Sequence, residues 1–214
     1  MGYEQNRRAN YTRPEYLSDM AVHLTGLAGV VLAVPFLIDL ATSTGITGRD
    51  TAAIVYGLCL TAMIVCSALY NMFPHPNWTW LFRRLDHSAI YLKIVGTYTA
   101  FALIAGQGFV LAAVLWAVAV FGIILKLISP ARWKILSILL YLGMGWGGVT
   151  FGADVFKGLP QTVFQMIAVG GILYSIGVVF HLWTRLPYHN TIWHVFVLAA
   201  SAAIYTGVAT AMSA

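Results

Sequence analysis

FVLAAVLWAVAVFGIILKLI, running from Phe109 to Ile128, carries a single charged residue, Lys126. A run this long and this apolar matches the roughly 20 residues that an α-helix needs to cross the hydrocarbon core of a bilayer. Its limits are marked on both sides. Gly106-Gln107-Gly108 precedes it, and Ser129-Pro130 ends it, because proline stops a helix and restricts the residue ahead of it. Working outward, comparable runs give spans near 19–41, 52–73, 85–105, 109–128, 134–151, 162–183 and 190–212. The fold expected is all-α, a seven-transmembrane helix bundle. Its third and fourth spans are joined so tightly through Gln107 that they must run antiparallel.

Composition agrees. The 214 residues are 60% hydrophobic and 9% charged, against roughly 25% charged in soluble domains. That leaves an N-terminal arm (1–17), one membrane domain (18–214) and no soluble domain of ordinary size. The polar opening residues lack the apolar core of a removable signal peptide. Cys59 and Cys66 stand seven apart in one apolar helix, about 10 Å between α-carbons, too far for a disulfide; both read as packing residues.

The net charge of +5 is spread over short loops with no basic stripe. Nucleic acid is therefore not expected as a partner, and membrane lipids are. Arg7, Arg8, Arg13, Arg83, Arg84, Lys126, Arg132, Lys134 and Arg185 fall on the N-terminal side, Arg49 and Lys157 on the other, and Lys93 inside a span. By the positive-inside rule the N-terminus is cytoplasmic and, after seven spans, the C-terminus outside. The fifth span holds Gly143, Gly145, Gly147, Gly148 and Gly152, which suggests a face where a neighbouring backbone packs closely.

The polar residues of the spans gather at one end. Asp19 and His23 open the first span, Ser67 and Asn71 close the second, Asp86 and His87 open the third, His181 ends the sixth, and Asn190 and His194 open the seventh. Three of these pairs are four residues apart and so share a helix face. Ionisable residues inside a membrane are costly and default to a functional hypothesis; singly, each also fits an interfacial cap or a solvated side chain.

The strings Ser67-Ala-Leu-Tyr-Asn71, Phe82-Arg-Arg-Leu-Asp86-His-Ser-Ala-Ile-Tyr91, Gly96-Thr-Tyr-Thr99 and Leu186-Pro-Tyr-His-Asn190-Thr-Ile-Trp-His194 resemble the haemolysin III branch of the progestin and adipoQ receptor family. The resemblance runs from about Tyr16 to the C-terminus. It implies a seven-helix bundle with its N-terminus inside. It also implies a zinc ion near the cytoplasmic side, held by one histidine of the second helix (Ser-x3-His) and two of the seventh (His-x3-His), with the third-helix aspartate on the metal-bound water. In eukaryotic relatives and the related alkaline ceramidases this arrangement looks like a lipid amide hydrolase.

This chain departs from that pattern at the metal. Asn71 and Asn190 stand at two of the three histidine positions; His194, Asp86 and Ser67 are retained. An amide oxygen is a weak neutral ligand beside imidazole. His23 and His87, in the same layer, are candidate substitutes, and Lys93, seven residues after Asp86, is a candidate charge partner for that carboxylate. The expected function is a membrane protein of this family with a degenerate zinc site that binds lipid or signals membrane state, in a bacterial inner membrane. The alternatives are a zinc-dependent lipid amide hydrolase, with Asp86 and Ser67 catalytic, and a channel or proton-linked transporter.

Overall fold

The computed structural model describes residues 11–73 and 75–214, with the backbone alone for Ala153 and Asp154. Among the described residues, eight helices follow in order: α1 (Arg13–Ser43), α2 (Arg49–Met72), α3 (Thr79–Ala105), α4 (Phe109–Ile128), α5 (Lys134–Phe151), α6 (Ala153–Phe156), α7 (Gln161–Leu182) and α8 (His189–Ser213). All but the four-residue α6 are long and apolar enough to cross a membrane. The chain is thus a seven-helix membrane bundle, with spans close to those read from hydropathy. Arg7 and Arg8, counted for orientation, and residues 1–10 of the expected arm lie outside the described residues.

The first helix starts six residues before the expected span. Glu15 accepts from the Thr12 backbone N–H at 2.9 Å and from its hydroxyl at 2.8 Å, while Thr12 Oγ1 takes the Glu15 N–H at 3.4 Å. This reciprocal cap begins a helix among polar residues that hydropathy passes over. The second oxygen of Glu15 accepts from Tyr188 N at 3.0 Å, just ahead of α8. Tyr16 donates to the Met72 carbonyl at the end of α2 at 2.8 Å. The start of α1 is therefore tied to two neighbours at one end of the bundle.

α1 packs on α2 and α8, while α3 touches α2, α4, α5, α6 and α8. The central position of α3 is visible in burial: 61% of its most apolar stretch is buried, against 44% or less elsewhere. Two of its tyrosines reach into slots that glycines leave in neighbouring helices. A Cβ on Gly122 would stand 2.2 Å from the Tyr91 ring, and one on Gly148 would stand 2.0 Å from the Tyr98 ring. The glycine-rich fifth span (α5) therefore does something other than admit a neighbouring backbone. Gly148 admits an aromatic side chain, Tyr98 also donates to the Gly145 carbonyl, and a Cβ at Gly143 or Gly145 would meet nothing within 4 Å.

The outward surface is apolar, with Phe151 87% and Val110 80% exposed, as a lipid-facing surface requires. Trp116 and Trp146 do more than pack: each donates its indole N–H across helices at 3.1 Å, to Thr99 and Ser175 respectively. Both cysteines are free thiols.

Candidate functional site

A cavity of about 270 Å³ runs inside the bundle. Its lining changes character along α3. Asp86 and His87 stand at one end and Phe101 at the other, fifteen residues apart, or roughly 22 Å along the axis. At the far end Phe156 of α6 also lines the cavity, its ring 5.5 Å edge-on from Phe101. A four-residue helix is too short for a periodicity signal, so this apolar floor could not be read from sequence pattern.

The polar end has two sides. On the side of α1, α2 and α8, Asp19 is buried at 4% exposure, and its carboxylate meets His194 Nδ1 at 2.6 Å and accepts from Asn190 Nδ2 at 3.4 Å. His23 turns Nδ1 to the Asp19 carbonyl at 2.7 Å and Nε2 to Ser67 Oγ at 3.2 Å. The His23 and His194 rings meet edge to face at 4.4 Å. Asn71 donates to the Ser67 carbonyl at 2.9 Å and lies 3.4 Å from its hydroxyl. The three i,i+4 pairs anticipated from spacing thus come together. Asp19, left outside the expected site, is their hub; its spacing to His23 was the available signal.

On the side of α3, α4 and α5 the same end is lined by Arg83, Asp86, His87, Lys126 and Lys134. Arg84 turns away from Asp86, donating to the Leu127 carbonyl at 2.8 Å and lying over the Trp80 ring. Lys93 does not reach back to Asp86 as expected. Its ammonium donates to Thr97 at 3.0 Å and lies 4.6 Å from the Tyr56 ring centre. A spacing of seven sets the face of a helix but leaves about 10 Å of axial separation, and a hydroxyl one turn away is the nearer partner.

The residues at the implied zinc position do not fit a three-histidine centre. Both asparagines direct an amide N–H₂, a donor group, at the network, and His194 supplies the one imidazole. A different set converges instead: Asp19, His23 and His194 each offer a ligand atom within 4.8 Å of the others. His23 is thus brought to His194, whereas His87 is not a member of the group.

A seven-helix bundle enclosing a cavity that is polar at one end and apolar in depth defines an integral membrane protein with an internal site. Residues 14–205 match the family model described as haemolysin-III related, and the chain belongs to that family. It is 38% identical over 193 residues to hemolysin-3 of Bacillus cereus, covering 87% of this chain and 88% of that one. It is 33% identical over 198 residues to the hemolysin-3 homolog of Bacillus subtilis (strain 168), covering 91% and 93%. The human monocyte to macrophage differentiation factor matches at 26% over 164 residues, covering 71% of this chain and 66% of that protein.

Proposed function

We propose that the protein binds an amphiphilic lipid in its central cavity, polar group toward Asp86, His87 and Asn71 and chain toward Phe101 and Phe156, and that it acts as a binding or signalling protein. The observation carrying this reading is the graded lining of the cavity, polar at one end and apolar some 22 Å away. Sites for small amphiphiles are largely apolar, with a few placed polar groups. The positive-inside bias favours a cytoplasmic position for the polar end, and with bacterial relatives the membrane in this reading is the bacterial inner (plasma) membrane. Native mass spectrometry of protein purified in mild detergent should find one retained lipid, displaced by Ile167→Trp, which narrows the cavity. Protein that carries no lipid and takes none up from mixed micelles would sink this reading.

A second reading, hydrolysis of a lipid amide or ester, draws on the convergence of Asp19, His23 and His194. A divalent metal held there would supply a Lewis acid, with Asp86 and Ser67 facing the same cavity. Stoichiometric metal in protein purified without chelator, together with fatty acid release lost in both Asp86→Ala and His194→Ala, would replace the binding reading by this one.

A further inference from the structure

Lys93 lies inside the third span, seven residues beyond Asp86 and eight before Phe101, and is 3% exposed. It lines the cavity with Ile94, Thr97 and Phe101 of its own helix. A lysine near a helix end escapes lipid by stretching its ammonium toward the headgroups. Lys93 does not. Its Nζ donates to Thr97 Oγ1, one turn further in, at 3.0 Å and to the Tyr56 hydroxyl at 3.5 Å, and it lies 4.6 Å from the Tyr56 ring centre. Thr97 donates its own proton to the Lys93 carbonyl at 2.8 Å, so its oxygen faces the ammonium as an acceptor. These partners are two hydroxyls and a ring, which position the nitrogen without pairing it to a carboxylate. Holding a charge in this way inside a membrane is costly, and a residue so placed calls for a functional reason.

Lysine amines condense with carbonyl groups to Schiff bases, and an apolar pocket is the usual setting for a lysine that does so. A water-poor site also protects the imine from hydrolysis, and a neutral imine removes the charge whose burial is costly. Depth sets Lys93 apart from the other lysines of the cavity. Lys126 and Lys134 line the polar end, whereas Lys93 stands beyond it. From Lys93 to Phe101 the helix rises roughly 12 Å, about the length of a ten-carbon chain. Ile167 and Phe156 line the cavity at this apolar end as well.

We propose that Lys93 is a covalent attachment site that takes an aliphatic aldehyde as an imine, with the aldehyde's chain in the apolar depth beyond it. The nitrogen adds to the carbonyl carbon, and the C=O bond gives way to C=N. Two hydrogens of the ammonium leave with the oxygen as water and the third proton passes to solvent, so the step needs no oxidant or reductant. Tyr56, 3.5 Å from the nitrogen, is the hydroxyl placed to pass a proton to the departing oxygen. A terminal carbonyl suits the site because Thr97 and the Tyr56 ring already crowd the nitrogen. The proposal rests on the amphiphile-binding reading, since the same cavity must admit the chain, and it makes binding of this ligand class covalent and reversible.

The test uses the full chain, delipidated in maltoside micelles and incubated with decanal or with decanol, which has the same chain and no carbonyl. Native mass spectrometry reads reversible binding, and borohydride reduction then converts any imine to a stable secondary amine. Intact mass should show one decyl group per chain after decanal and none after decanol. Peptide mapping should place that group on Lys93 at least tenfold above Lys126, Lys134 and Lys157. Lys93→Met should lose the adduct and still hold decanol. Labelling spread evenly over the lysines, or unchanged in Lys93→Met, overturns the attachment site. Decanol held without any decanal trapped also overturns it and leaves the amphiphile reading standing. If neither decanol nor lipid is held, the reading beneath it fails too. Should Lys93→Met unfold, the position mapped on the unsubstituted chain decides.

Discussion

The two sides of the polar layer use buried charge differently. Around α1, α2 and α8, Asp19 serves His194 and Asn190 while its helix serves His23, so the network closes on itself. Around α3, α4 and α5, Arg83, Asp86, Lys126 and Lys134 line the cavity beside His87, whose Nδ1 has no hydrogen-bond partner among the described residues. A satisfied buried network fixes structure, and an incomplete one is costly. The first side therefore reads as scaffold, and the second keeps a charged lining on the cavity.

That contrast can be broken most forcefully at its hub. Asp19→Ala removes the acceptor of a buried pair, a change that costs about 3–5 kcal/mol; thermal unfolding in detergent should show the largest fall in Tm of any single change here, and a fall below that of the glycine variant would mean the network is not scaffold. Gly148→Ala places a methyl group 2.0 Å from the Tyr98 ring, and overpacking of this kind costs about 1–3 kcal/mol; the same melt should register it, with the helical circular dichroism retained. Lys93→Met sharpens the other side. Its ammonium is 3% exposed and meets a hydroxyl and an aromatic ring instead of a carboxylate, and replacing buried charge by a well-packed apolar side chain is commonly neutral or stabilising by about 1–4 kcal/mol. The Tm should hold or rise, and a marked drop would reveal a charge partnership at this site. Trp116→Phe deletes one interhelical hydrogen bond on the lipid side, worth about 0.6 kcal/mol, and its fall in Tm should be the smallest of the three destabilising changes.

The seven spans were legible because twenty apolar residues have few readings other than a membrane helix. The start of α1 was not, since a Thr12–Glu15 cap makes helix out of polar sequence. Within the site, the four-residue spacings put Asp19 with His23 and Asn190 with His194 on shared faces, yet nothing local says that α1 and α8 face each other. The bond between Asp19 and His194 spans 175 positions, and only the packed bundle creates it. Lys93 shows the matching limit: periodicity set its face, while the direction of its long side chain depended on Thr97, one turn along the same helix, and on Tyr56 of another.

The same separation has a consequence for how the protein is made. At roughly 5–20 residues per second of synthesis, Asp19 emerges some 9–35 s before His194 exists. For that interval the first helix carries a carboxylate whose partner has not been made, so its settling among the lipids must wait on the last helix. A nascent chain halted before α8 would hold that carboxylate beside His23 of its own helix, at 3.9 Å, and without His194 and Asn190.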